Sequence, residues 1–147
     1  MILRREVRIY NEEWINPVEG IITSYFGERI NPVLNKKEFH DGIDIAAPKD
    51  EPIVAVKSGT VIKVESSSTY GKLIEYEVEG GYIIKYAHCN EIFVKEGDRV
   101  EQGQIVASIG NTGLSTGYHL HYTILKDEVC IDPVDFVDLP IMETLQE

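Results

Sequence analysis

Thr116-Gly117-Tyr118-His119-Leu120-His121-Tyr122, near the C-terminal end of a 147-residue chain, sets two histidines two residues apart among apolar and aromatic neighbours. The pattern reads as a β-strand. In a strand, positions i and i+2 face the same way and lie roughly 6.6 Å apart, so both imidazoles look into one space. The chain has four histidines. The other two, His40 and His88, fall in segments that a folded sheet can bring to the same place. An isolated His-x-His is most simply a pair of exposed strand residues, so a site needs partners from elsewhere in the chain.

Upstream, the middle of the chain is broken by glycines at short intervals. Residues 53–56 run into Ser58-Gly59, residues 60–65 into a Ser66-Ser67-Ser68 loop, and residues 73–78 and 82–87 flank Gly80-Gly81, a two-residue hairpin signal. Residues 21–26 and 105–109 are further strand-like runs. Short strands at even spacing predict an all-β domain, a sandwich or a folded-over sheet. No segment carries the sustained period of a long amphipathic helix; one turn is expected after Pro133. The segment 29–38, with Pro32 and Asn35, reads as a loop. Gly59, Gly97, Gly103 and Gly110 read as turn residues needing positive φ.

The ends differ in texture. Residues 1–19 are highly charged with Trp14 as an apolar anchor, and read as an arm packed at the edge of a domain spanning 20–137; Val7 and Ile9 allow a short strand there. Residues 138–147 read as a frayed or weakly helical tail.

Composition narrows the function classes. Fourteen Lys+Arg against 25 Asp+Glu give a net charge of −11, which excludes a broad electrostatic grip on nucleic acid or anionic lipid. The two cysteines, Cys89 and Cys130, are too few for a disulfide framework or a cysteine-rich zinc cluster. Cys89 reads as a small buried residue, and a bridge between the two stays open. No run approaches the roughly 20 apolar residues of a membrane span. The opening Met1-Ile2-Leu3-Arg4-Arg5-Glu6 carries charge where a signal peptide has its apolar region, so the sequence reads as cytosolic or as lacking an export segment.

The second chemical feature is His40-Asp41-Gly42-Ile43-Asp44. In a straight strand His40 and Asp44 share a face but stand roughly 13 Å apart, too far to share a metal. Gly42 between them can bend the backbone and close that gap. Asp41 falls on the other side, outside the set. His40, Asp44 and one histidine of the His119/His121 pair then make a three-ligand nitrogen/oxygen set, the form of catalytic zinc sites that keep a fourth position for water. His88 and the remaining histidine are left to move a proton and to steady an oxyanion.

These residues carry a recognisable pattern. From about Gly20 to Val137 the chain resembles the lysostaphin-type (LytM-like) zinc metallopeptidases, which cleave peptide bonds in bacterial peptidoglycan. The likeness rests on Ile22-Thr23-Ser24-Tyr25-Phe26-Gly27-Glu28-Arg29, Phe39-His40-Asp41-Gly42-Ile43-Asp44-Ile45, Ala55-Val56-Lys57-Ser58-Gly59-Thr60-Val61 and Tyr86-Ala87-His88. It continues through Val94-Lys95-Glu96-Gly97-Asp98-Arg99-Val100, Gly103-Gln104 and residues 110–121.

The resemblance implies a mainly β, largely antiparallel folded sheet (the duplicated-hybrid-motif fold) with its site in a groove walled by loops, here 29–38 and 66–71. It implies one zinc ion held by His40, Asp44 and His121, with His119 as catalytic base and His88 orienting the water or binding the oxyanion. The implied substrate is peptidoglycan stem peptides or cross-bridges, and the implied location is outside the cytoplasmic membrane. Tyr118 stands where the family usually has proline, Thr123 where it commonly has glutamate, and Cys89 where leucine is usual. None is a ligand or the base; they bear on groove shape and substrate preference. The alternative is a scaffold domain of the same fold that acts through an envelope protein partner, as in sporulation or division. A biotinyl/lipoyl-type carrier barrel fits the strand pattern of residues 54–110, but Gly80-Gly81 offers no hairpin lysine. A sugar-phosphotransferase domain leaves His40 and Asp44 unexplained.

Overall fold

The computed structural model describes residues 13–30, 33–115 and 117–142. The strand expected around Val7 and Ile9, and residues 143–147 of the tail, lie outside them. In chain order the strands are β1 (Ile21–Ser24), β2 (Gly27–Ile30), β3 (Lys37–His40), β4 (Ile43–Ala46), β5 (Pro52–Val54) and β6 (Gly59–Ser67). They continue with β7 (Gly71–Val78), β8 (Tyr82–Cys89), β9 (Arg99–Val100), β10 (Ile105–Ser108), β11 (His119–Lys126) and β12 (Val129–Ile131). The only helical element among the described residues is the expected single turn, a 3-10 helix at Pro133–Phe136 that Asp132 caps by accepting from Val134 N–H at 3.0 Å. No described helix is long and apolar enough to cross a membrane.

The main sheet has the order β1-β4-β11-β8-β7-β6-β9, with β12 also paired to β11, and its named strand pairs are antiparallel. β11 occupies its middle and pairs with β4 on one side and β8 on the other. Its side chains alternate, as the pleat requires. Leu120, Tyr122 and Ile124 are fully buried together with Ile43 and Ile45 of β4 and Ile84 and Tyr86 of β8. Removing each such side chain from water is worth about 1.5–3 kcal/mol. His119, His121 and Thr123 occupy the other face. Two-stranded units, β5–β10 and β2–β3, complete the domain.

A buried polar relay joins the main sheet to the β5 segment. Val56 N–H donates to the Tyr76 hydroxyl at 2.9 Å, the Tyr76 and Tyr86 hydroxyls lie 2.7 Å apart, and Tyr86 donates to the Val54 carbonyl at 2.8 Å. A carbonyl can only accept, so Tyr86 spends its hydrogen on Val54 and Tyr76 must donate to Tyr86. Trp14 packs at the domain edge as expected, with its ring 4.6 Å from Phe136 and 5.1 Å from Tyr82.

Several local expectations need correction. Segment 29–38 is not simply a loop: β2 and β3 form a hairpin pairing Arg29 with Glu38 and Gly27 with His40. These strands are four residues long and half exposed, so no buried alternation marks them in the sequence. β6 runs through Ser67, and the β7–β8 connection is residues 79–81 rather than two residues. Gly59 and Gly110 are not at positive φ; a side chain there would strike Glu77 O at 2.2 Å and Asn90 N at 2.5 Å. The described part of the tail is neither frayed nor helical: Ile22 N–H donates to Pro140 O at 2.9 Å and Met142 N–H to Ile22 O at 3.0 Å.

Replacing Tyr76 by phenylalanine strands the buried Val56 N–H and breaks the relay. The expected cost is about 1–3 kcal/mol, read as a lower urea midpoint with the β-sheet circular dichroism of the folded protein unchanged.

Candidate metal centre

The register of two strands places the first pair of donors. In the β4–β11 pairing His121 stands directly opposite Asp44, the closest cross-strand relation a sheet offers. His40 ends β3 in the hairpin, and Asp41-Gly42 carries the chain from there into β4. The strand is broken at this point, not merely bent. A Cβ on Gly42 would lie 2.1 Å from Tyr122 O, so only glycine lets the chain pass this close to β11. The break brings His40 Nε2 to 3.4 Å from Asp44 Oδ1.

Hydrogen bonding on the far side of each ring decides which nitrogen faces inward. His40 Nδ1 lies 2.8 Å from Tyr25 O; a carbonyl only accepts, so Nδ1 carries the hydrogen and Nε2 presents its lone pair. His121 is reversed: Nε2 donates to Asp41 Oδ1 at 2.8 Å, and Nδ1 faces the cluster. His40 Nε2 and His121 Nδ1 are 3.1 Å apart, and His121 Nδ1 is 3.1 Å from Asp44 Oδ1. Three acceptors facing one another at such distances repel unless a cation sits among them. Tetrahedral zinc with nitrogen and oxygen bonds near 2.05 Å requires donor–donor edges of about 3.3 Å. The residues fit the ion.

His119 and His88 stand beside this triangle. His119 Nδ1 lies 2.8 Å from Gly117 O, which turns Nε2 inward to 3.8 Å from Asp44 Oδ1. His88 Nδ1 lies 2.6 Å from Thr112 O, and the two rings are 5.2 Å apart. His88 holds φ of 63°, a left-handed conformation uncommon outside glycine. The structure therefore brings all five expected site residues together at one cleft of about 220 Å³.

Its walls are the β2–β3 hairpin, with exposed Phe39, the 68–70 turn with exposed Tyr70, and the segment of Leu114 and Ser115. Sequence reasoning named the first two walls and missed the third. It also misplaced Asp41. Because the strand breaks at Gly42, the alternation that set Asp41 on the opposite side does not hold, and its carboxylate meets His121. Arg29 pairs with Glu38, at 3.2 Å, and its other terminal nitrogen donates to Ser24 Oγ and lies 3.6 Å from Asp44. Cys89 and Cys130 are free thiols, and Cys89 is buried.

The antiparallel sheet gathers a nitrogen/oxygen donor triangle at an open cleft, an arrangement that can hold a metal ion. More particularly, the chain belongs to peptidase family M23, whose family model matches residues 38–133, in keeping with the lysostaphin-type resemblance. The peptidoglycan DD-endopeptidase ShyC of Vibrio cholerae is 34% identical over 125 residues, 85% of this chain and 29% of that protein. The catalytic domain of lysostaphin from Staphylococcus simulans superposes with a TM-score of 0.71 at 28% identity, covering 80% of this chain and 91% of that one. A chain of the SpoIIQ–SpoIIIAH pore-forming complex does so with a TM-score of 0.76 at 28% identity, covering 92% of this chain and 97% of that one. The chain spans about 30% of the length of the curated peptidases it matches.

The donors are strongly coupled to their surroundings. Burial opposes ionisation of Asp44, but its contacts with the His121 and His40 imidazoles outweigh it and hold the carboxyl well below the usual range. Asp41 is lowered too, burial again being overcome by His121. Burial alone would depress His121, yet Asp41 and Asp44 raise it to about 9. In chelator-stripped protein a proton on His121 does the cation's work. Stabilisation from His121 is complete below the unfolded value of about 6.5 and is lost as pH rises through about 9. Stabilisation from the two aspartates is present above about 3.9 and is lost as pH falls. The melting temperature in EDTA should thus be highest between these limits and drop towards pH 9.5. Identical melting from pH 6 to 9.5 in EDTA would contradict this.

Proposed function

We propose that this chain is a zinc-dependent endopeptidase that hydrolyses peptide bonds in bacterial peptidoglycan, working outside the cytoplasmic membrane. One observation carries the reading: the His40–Asp44–His121 triangle has edges of 3.1 to 3.4 Å, and a fourth lone pair, His119 Nε2, is aimed at its open side. In this reading His40 Nε2, Asp44 Oδ1 and His121 Nδ1 hold one zinc ion. Bound there, zinc supplies Lewis acidity, lowering the pKa of a water and polarising the carbonyl of the scissile bond.

The protein's own groups do the rest. His119, with its Nδ1 hydrogen committed to Gly117 O, takes the proton of the attacking water at Nε2 and returns it to the leaving amine. For His88 the structure favours one of the two roles considered. Burial lowers its pKa, and its one ring hydrogen is committed to Thr112 O. A neutral His88 therefore accepts at Nε2 and orients the water; it has no hydrogen there for an oxyanion. The apolar rim of Phe39, Tyr70 and Leu114 offers an extended peptide chain a surface beside the triangle.

The similarity to a chain of the SpoIIQ–SpoIIIAH complex, over 92% of this chain, favours a second reading: a scaffold that binds an envelope protein and does not cleave. Both readings allow zinc, so turnover separates them. The zinc-loaded protein should release peptides from purified peptidoglycan, and His119→Ala should lower the rate about 10²–10⁴-fold while retaining one zinc. His121→Ala should lose the metal. Intact walls of several cross-link types after incubation with zinc-loaded wild type would decide for the scaffold.

A further inference from the structure

The four histidines differ in how their outward nitrogens are held. His40, His88 and His119 each donate Nδ1–H to a main-chain carbonyl, of Tyr25, Thr112 and Gly117. His121 alone places its outward nitrogen, Nε2, on a carboxylate oxygen, Asp41 Oδ1, at 2.8 Å. We propose that Asp41 is the positioning residue of the metal centre: its carboxylate fixes His121 in the Nε2–H tautomer, aims Nδ1 into the donor triangle and strengthens that nitrogen as a ligand. The inference rests on the reading that His121 holds the metal.

The surroundings of Asp41 are arranged for this. Gly42 lets the chain cross β11 at Tyr122 with no room for a Cβ, and that crossing folds Asp41 onto the face where His121 and Thr123 stand. Thr123 Oγ1 donates to the same Asp41 oxygen at 3.5 Å, a weak contact that leaves the short one to His121. Behind them a cavity of about 20 Å³ is lined by Asp41, Leu73, Lys85, His121 and Thr123. Lys85, reaching in from β8, adds a positive charge that favours the ionised carboxylate of Asp41. A ligating imidazole whose other nitrogen donates to a carboxylate is a more basic and better-oriented ligand, and losing that partner typically costs 10–100-fold in metal affinity.

The arrangement also accounts for Thr123. Positions 121 and 123 are two apart on one strand and share a face, so a carboxylate at 123 would approach Nε2 from the side where Asp41 now sits. Thr123 is buried, and the cavity is too small to admit a glutamate while Asp41 is present. The carboxylate that the lysostaphin-type pattern carries at 123 is here supplied across the strand gap by 41.

Four proteins test this: wild type, Asp41→Asn, Asp41→Ala and the double variant Asp41→Ala/Thr123→Glu. Each is measured for zinc affinity by competition with a chromophoric chelator, and for the visible absorption of the cobalt-substituted protein. The melting temperature in EDTA reports folding. Asp41→Ala should bind zinc about 10–100-fold more weakly with an altered cobalt spectrum, and Asp41→Asn should weaken it less, since an amide oxygen can still accept from Nε2–H. The double variant should regain about tenfold or more of the loss. Asp41→Ala and Asp41→Asn that match wild type in affinity and cobalt spectrum would overturn the role of Asp41 while leaving the zinc peptidase intact. A double variant no better than Asp41→Ala would overturn the exchange between positions 41 and 123. Wild type that takes up no zinc would overturn the metal reading itself and this inference with it. Asp41→Asn, being isosteric, carries the test if truncation disturbs folding.

Discussion

The register of β11 is the constraint on which the rest of the molecule depends. On one face of this strand Leu120, Tyr122 and Ile124 fill the core, and on the other His119, His121 and Thr123 build the site. A slip of one residue would exchange the two faces at once, burying imidazoles in the core and exposing its largest side chains. Core and site are therefore specified by one alignment. The same alignment sets His121 against Asp44, so the folding energy of the sheet holds two of the three candidate donors at contact distance.

That coupling explains what was legible in the sequence. His-x-His in an apolar run carries the period-two signature of a strand, and with it the shared face of the two imidazoles. The all-β class was legible from glycine spacing, because turns in an antiparallel sheet leave such marks. His40 and Asp44 were legible as a pair only through Gly42, and even there the sequence reading took a bend for what is a break between two strands. The error over Asp41 has the same origin: alternation counts faces correctly only while a strand continues. The β2–β3 hairpin left no trace, since two short strands paired to each other and half exposed need no hydrophobic alternation. The wall around Leu114 and Ser115 was hidden for another reason. It is placed by backbone packing, with Gly113 at φ of 78° pressed against Gly71, and main-chain proximity has no side-chain code.

The choice of ring nitrogen was beyond reach for that same reason. Three of the four histidines are set by carbonyls, and a carbonyl belongs to every residue. Only His121 is set by a side chain, and only there could the sequence have contained the signal. A carboxylate next to the bend-forming Gly42, with Thr123 on the shared face of β11, is that signal in retrospect. It becomes readable once the chain is allowed to break at residue 42.

The geometry of His88 bears on what the cleft is for. Holding a non-glycine residue at positive φ costs of order 1–3 kcal/mol, and the fold accepts this at the bulge in the β7–β8 pairing, one residue before β8 ends. The return is not packing, since the ring stands at the cleft. It is the hydrogen bond to Thr112 O, which leaves a neutral imidazole 5.2 Å from that of His119. A metal triangle that merely stabilised a scaffold would be complete with His40, Asp44 and His121. Two further imidazoles with fixed tautomers, one of them strained into place, add nothing to metal binding. They are what the proposed hydrolysis would need beside it, a pair of bases that could hold a water and receive its proton.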